Sequence, residues 1–308
     1  MIVTVTLNAA LDVTYELGRV TIGDTNRVDR VRECPGGKGL NVARTLDALG
    51  EPVLACGLLG GRTGEVIRTG LAATGVRTVF TTIRGESRRT VVLAEPGRTT
   101  VVNEPGPTVT SDEWQAFRAG FAEILATSGA GVAVLSGSLP PGVPVDAYAE
   151  LGRACAAAGI RVVLDADGEP LRHGLAGRPA VVKPNVDELA RLRLGDGAPL
   201  LAAAQAVRAA GATAVVVSRG PDGLVAVTPD GAWAAVPPVV TGNPTGAGDA
   251  LVAALARGLA HGSAWPDRLR DGVALSAATV QAEGAGSFDM STYRALLPRI
   301  ELSPLTLP

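Results

Sequence analysis

The chain has 308 residues, 46% of them hydrophobic and 19% charged, which is enough apolar material for a substantial core and too much for a disordered segment. A net charge of -2, with 28 Lys and Arg spread along the chain, argues against a nucleic-acid surface and leaves small molecules as the expected partners. Three scattered cysteines (Cys34, Cys56, Cys155) and two histidines (His173, His261) do not make a disulfide framework, a zinc site or a Ser-His-Asp triad.

Residues 2–7 read as a first strand rather than a secretory leader, and no apolar run is long enough to span a membrane, so a cytoplasmic protein with no membrane partner is expected. The turn Asn8-Ala9-Ala10 ends that strand, which puts Asp12 near a strand end, either as a ligand contact or as a loop carboxylate held by local amides. Residues 13–17 and 27–32 alternate polar and apolar side chains, and residues 88–94 and 99–103 do so again. These blocks predict a small antiparallel sheet that lies as a lid beside the main domain, inserted over about 12–33 and 77–104.

Gly36-Gly37-Lys38-Gly39-Leu40-Asn41 then opens an amphipathic helix that Gly50 stops. Glycines at a helix start suit an anion or a hydroxyl, although a solvated Lys on an ordinary strand-helix turn has the same look. The loop is not a Walker A motif, because Gly rather than Ser or Thr follows the Lys. Strands and helices alternate steadily from residue 53 onward: a helix capped at Ser111, a strand over 132–135, another over 161–164 that leaves Asp165 at its end, and a third over 180–182. Asn185 and Glu188 stand three apart on the next helix. They could share a hydrated magnesium, but a capping box accounts for the same spacing without a metal and is the preferred reading. The pattern as a whole is α/β, a mostly parallel sheet covered on both faces, with ligands at the carboxyl ends of its strands.

The last distinctive stretch is Gly242-Asn243-Pro244-Thr245-Gly246-Ala247-Gly248-Asp249, followed by an apolar run over 250–259. Such a loop opens a helix whose unpaired amides and positive dipole end suit a phosphate. Asp249 in the first turn is either the base for an attacking hydroxyl or a carboxylate that balances the dipole. Near a helix start it is expected to stay ionised at neutral pH.

With these residues in order, the chain resembles the ribokinase-like (PfkB) sugar kinases. The likeness rests on the run Gly36 to Arg44, the run Asn243 to Asp249, and the intervening Ser136-Gly137-Ser138-Leu139-Pro140-Pro141-Gly142 and Lys183-Pro184-Asn185 with Glu188. Lys38 and Arg88 are similar to the branch that holds 1-phosphofructokinases and tagatose-6-phosphate kinases. The resemblance implies a three-layer α/β/α core with a β-sheet lid in a single kinase domain, ATP as donor, and Mg2+. It implies Asp249 as base beside the amides of Gly246, Ala247 and Gly248. Asp12, Gly37 and Asn41 would hold the sugar hydroxyls, and Lys38, Arg88 and Arg27 the phosphate already on the sugar. Lys183, Asn185, Glu188, Ser218, Gly220 and Gly223 would serve the nucleotide, with Asn185 and Glu188 reaching the metal through water.

The reaction so implied converts fructose 1-phosphate to fructose 1,6-bisphosphate, with tagatose 6-phosphate and fructose 6-phosphate as alternative acceptors. A catalytically silent sugar-phosphate sensor is the reading from another class. A dinucleotide-dependent oxidoreductase is not supported, because the first strand-turn-helix lacks G-x-G-x-x-G. The exposed lid face could also pair two copies as a homodimer.

Overall fold

The structure, a computed structural model, describes residues 1–307 apart from Asp196 and Glu283. Strand β1 (Ile2–Thr6) is buried along its whole length, and the turn after it leads into β2 (Ala10–Glu16) and β3 (Arg30–Gly36). Helix α1 (Lys38–Ala48), β4 (Val53–Gly60) and α2 (Gly61–Ala72) follow, then β5 (Arg77–Ile83), β6 (Arg88–Glu95), β7 (Arg98–Asn103) and α3 (Ser111–Thr127). The middle of the chain supplies β8 (Val132–Ser136), α4 (Ala147–Ala157), β9 (Arg161–Asp165), α5 (Gly168–Gly174), β10 (Val181–Val182), α6 (Val186–Arg191) and α7 (Leu200–Ala209). The remainder is β11 (Ala214–Ser218), β12 (Leu224–Thr228), β13 (Gly231–Val236), α8 (Ala247–His261), α9 (Trp265–Val280), α10 (Met290–Leu296) and β14 (Glu301–Leu305).

Ten strands form the main sheet in the order β14-β13-β12-β11-β10-β9-β8-β1-β4-β5, parallel from β11 to β5 and antiparallel beyond β11. β1 lies at its centre, with Ile2 opposite Val53 on one side and Val132 on the other. Successive side chains of a strand point to opposite faces. Ile2 therefore packs with Leu40, Leu46 and the helices α8 and α9, while Val3 and Val5 pack with Phe117, Phe121 and Tyr148. Helices cover both faces, as the alternating pattern requires. Helix α8 is buried from Asp249 to Ala256, as its apolar run leads one to expect.

A separate four-stranded sheet, in the order β3-β2-β6-β7, stands where the lid was expected. Its pairing differs from the expectation in two respects. β2 and β6 run parallel, joining the two insertions at Ala10–Arg88 and Asp12–Thr90. Residues 77–83 do not belong to the lid: β5 pairs with β4 at the edge of the main sheet. The run Arg77-Thr78-Val79-Phe80-Thr81-Thr82-Ile83 has no strict alternation of its own, so its place is decided by pairing with β4 and not by its local pattern. Asp12 likewise sits inside β2, opposite Cys34, and not at a strand end, because ladder pairing begins at Ala10 directly after the turn.

Helix α3 is capped by Thr110, one residue earlier than expected, in a capping box with Glu113. Strands β13 and β14 and helix α5 have no counterpart in the sequence reading. β13 is rich in Ala, which has low strand propensity, and β14 carries Pro304, which only an edge strand tolerates. No helix among the described residues is long and apolar enough to cross a membrane.

Candidate active site

The carboxyl ends of β1, β8, β9 and β10 and the first turns of α1, α6 and α8 converge on one cleft. β9 ends in Asp165, only 1% exposed, whose Oδ1 lies 3.3 Å from Lys38 Nζ and 3.2 Å from Lys183 Nζ. Two ammonium groups, from α1 and from the residue after β10, thus share one carboxylate oxygen. Asp165 Oδ2 is buried without a hydrogen-bond partner among the described residues. Lys38 Nζ also lies 3.6 Å from Glu188 Oε1. Burial pulls the Lys38 ammonium down, but Asp165, Glu188 and Asp249 outweigh it and hold the group above its ordinary value, so it stays charged.

Asn185 and Glu188 form the capping box at the start of α6: Glu188 N donates to Asn185 Oδ1 and Asn185 N to Glu188 Oε2, both at 2.8 Å. The box occupies one oxygen of Glu188 and leaves Oε1 facing the cleft beside Lys38.

At α8 the N-cap is Gly246, held in the left-handed region at φ 87°. A Cβ there would come 2.7 Å from Ala285 Cα, so glycine answers both the dihedral and the close approach. Of the three amides expected to form an anion hole, that of Ala247 is already engaged, donating to Pro244 O at 3.1 Å. Those of Gly246 and Gly248 make no such bond among the described residues. A Cβ at Gly248 would stand 3.7 Å from Lys183 Nζ, so an ammonium flanks this turn.

Asp249 is buried, and Asn41 Nδ2 donates to its Oδ2 at 2.8 Å. Burial pushes the Asp249 carboxyl up to about 7, and the Asp165 charge pushes the same way, against the Asn41 hydrogen bond, Lys38 and Lys183. This corrects the expectation of an ordinary ionised carboxylate. Its proximity to a helix start does not decide the matter, because withdrawal from water outweighs it.

A cavity of about 620 Å³ opens beside this cluster, and Gly37, Lys38, Arg88, Ser138 and Glu188 are among the residues that line it. The Arg88 guanidinium donates from Nε to Asn8 O at 3.1 Å and from Nη1 to Thr90 Oγ1 at 3.2 Å. Burial lowers the Arg88 pKa, and Asp12 and Glu104 partly restore it. Asp12 is raised by burial, against its bond to Thr90 and the charges of Arg88 and Arg44. Its carboxylate packs where a Cβ on Gly36 would sit, which explains a glycine at the end of β3.

The remaining expected residues divide. Ser218 lies next to Asn185 through an isolated parallel bridge, and its amide donates to Pro184 O at 3.0 Å, so both stand at adjoining strand ends. Gly220 and Gly223 flank the single turn between β11 and β12 with φ of 59° and 77°, and a Cβ on Gly223 would collide with Ala235 O. Arg27 stands exposed between β2 and β3 and does not line the cavity. Asp165, left without a role by the sequence, proves to be the shared partner of both lysines. The one signal for it was its position at a strand's carboxyl end.

The model of the pfkB family carbohydrate kinases matches residues 5–292. The chain belongs to this family. Among solved structures it is similar to phosphofructokinase-2 from Escherichia coli in complex with potassium, at 31% identity and a TM-score of 0.90, over 97% of this chain and 98% of that one. It is also similar to the same enzyme in complex with fructose-6-phosphate, at 30% identity and a TM-score of 0.88 over the same shares. The "possible 1-phosphofructokinase" of Thermotoga maritima matches at 26% identity and a TM-score of 0.90, over 99% of both chains. Family membership makes the chain a sugar or phosphosugar kinase, and the ribokinase-like core with a smaller separate sheet is the architecture expected from its motifs.

Proposed function

We propose that the chain transfers the γ-phosphoryl group of ATP to a primary hydroxyl of a ketohexose phosphate, with fructose 1-phosphate as the acceptor and fructose 1,6-bisphosphate as the product. The observation that carries this reading is the pair Lys38 and Arg88 on the wall of one cavity, with Lys38 also acting electrostatically on Asp249. Two cations facing one cavity suit an acceptor that already bears a phosphate, and the planar Arg fork can grip two of its oxygens. Asp12, Gly37 and Asn41 would hold the sugar hydroxyls.

Asp249, poised near neutrality, would take the hydroxyl proton as attack on the γ-phosphorus proceeds. Its bond from Asn41 orients one carboxylate oxygen and leaves the other for that proton. Lys183, with the amides of Gly246 and Gly248, would stabilise the charge on the transferring group, since fixed donors in a water-poor site need no reorganisation. The Ala247 amide, committed to Pro244, would act only by holding the turn.

Ser218, Gly220 and Gly223 would line the nucleotide. Magnesium, when bound, neutralises charge on the ATP phosphates, and Asn185 and Glu188 would reach it through water. Glu188 Oε1 in the cleft and Asp165 Oδ2, which has no hydrogen-bond partner among the described residues, are the hard oxygen atoms that fit such an ion. The exposed valines Val31, Val101 and Val102 support pairing of two copies through the lid.

Fructose 6-phosphate is the second reading, favoured by the likeness to the Escherichia coli enzyme bound to it. ADP-release kinetics with fructose 1-phosphate, fructose 6-phosphate, tagatose 6-phosphate and unphosphorylated fructose test the proposal through kcat/KM. The highest value with fructose 1-phosphate is expected. An equal or higher value with unphosphorylated fructose would overturn it.

A further inference from the structure

Asn8, at the turn after β1, is only 7% exposed and ties together three segments that are remote in sequence. Its Nδ2 donates to Pro105 O at 3.0 Å, where the chain leaves the lid, and to Ser138 Oγ at 3.0 Å, in the loop after β8. A carbonyl can only accept, so Pro105 determines which way the Asn8 amide faces, and Ser138 must therefore accept from it. The Ser138 hydroxyl hydrogen is then left free to point elsewhere. Ser138 lines the same cavity as Arg88 and Lys38. The main-chain oxygen of Asn8 meanwhile receives Arg88 Nε at 3.1 Å. One residue thus sets the direction of two donors on that cavity wall.

A second observation separates this from simple tethering. Asn8 Oδ1 is buried with no hydrogen-bond partner among the described residues. An unsatisfied buried acceptor is a standing cost, which a purely structural filler would not carry.

We infer that Asn8 is a positioning residue that makes Ser138 a hydrogen-bond donor and aims Arg88, so that both meet the phosphate the acceptor already carries. The inference rests on the proposed phosphosugar acceptor. Arg88 and Lys38 supply the charge, and Asn8 supplies the direction.

The test is the steady-state kinetics of the full-length enzyme bearing Asn8→Ala, Ser138→Ala or both, with fructose 1-phosphate and ATP varied in turn. A misfolded fraction lowers kcat but leaves KM unchanged, so KM is the deciding readout. Asn8→Ala is expected to raise KM for the phosphosugar about tenfold, the scale of one hydrogen bond to a charged group, while KM for ATP changes by less than about threefold. The double variant should be no worse than Ser138→Ala alone, because the main-chain oxygen that receives Arg88 Nε survives the substitution, and its effect should fall well short of the product of the single effects. The uncharged and similarly sized Asn8→Leu also lacks the donated hydrogen and should show the same rise, which covers an alanine variant that does not fold. Equal changes in both KM values, an unchanged phosphosugar KM, or fully multiplicative effects would overturn the role of Asn8 alone. A wild type that turns over no ketohexose phosphate would instead overturn the proposed function on which it rests.

Discussion

Asn41 Nδ2 and Asp249 Oδ2 lie 2.8 Å apart, joining the first turns of two glycine-started helices that are 208 residues apart in the chain. Each helix begins where a strand-to-loop passage frees its amides, and α1 packs directly on α8. The bond ties α1, proposed to hold the sugar hydroxyls, to α8, proposed to carry the base.

Replacing Asp249 by Asn keeps the shape and the neighbouring amide but removes the proposed proton acceptor. Turnover is expected to fall by about a thousandfold, within the usual range for a general base, with KM for both substrates within a few-fold of wild type. Steady-state kinetics checks this, and a near-normal kcat would remove Asp249 from the mechanism.

The pH dependence follows from the raised carboxyl. Asp249 must be ionised to accept a proton, so activity is expected to fall as pH drops below about 7. Asn41 lowers this pKa and Asp165 raises it, so Asn41→Ala should move the acid limb to higher pH and Asp165→Asn to lower pH. Profiles of kcat/KM for the three proteins test the opposite signs. Shifts in one direction would contradict the electrostatics described.

Stability should respond to the same group. The folded pKa of about 7 lies above the ordinary carboxyl value of 3.8, so the folded state binds the proton more tightly than the unfolded chain does. The stability this confers is fully present below 3.8 and is lost as pH rises to about 7. Asp249→Asn removes the penalty for a buried charge, by an amount on the order of a few kcal/mol at the plateau. Its melting temperature relative to wild type is expected to climb between pH 4 and 7 and then level off. A constant difference across that range would show that the carboxyl is not perturbed by burial.

Arg88→Ala should raise KM for the phosphosugar by about tenfold to a hundredfold, the scale of charge-assisted hydrogen bonds, and leave KM for ATP nearly unchanged. Kinetics with each substrate varied separately reads the difference. An equal effect on both would place Arg88 outside the acceptor subsite.

The glycine-rich starts of α1 and α8, the alternation that announces the lid, and the apolar run that buries α8 were all legible from the amino-acid order. So was the capping box of Asn185 and Glu188, which forms as its spacing suggests. Less was legible where local order does not fix a segment's neighbours. β5 has no strict alternation and pairs in the main sheet, and Arg27, expected at the phosphate, stands exposed and does not line the cavity. Helix hydrogen bonding also depends on detail below the motif, since Pro244 takes the amide of Ala247 and shortens the expected anion hole.

The sequence by itself determined the α/β class, the family motifs and the residue types at the cleft, because periodicity, turn glycines and capping pairs act over a few residues. Only the tertiary structure decided that Asp165 is shared by Lys38 and Lys183, that Asn41 holds Asp249, and that Asp249 titrates near neutrality. Those properties arise from burial and from charges brought in by distant segments, and the local order of residues carries neither.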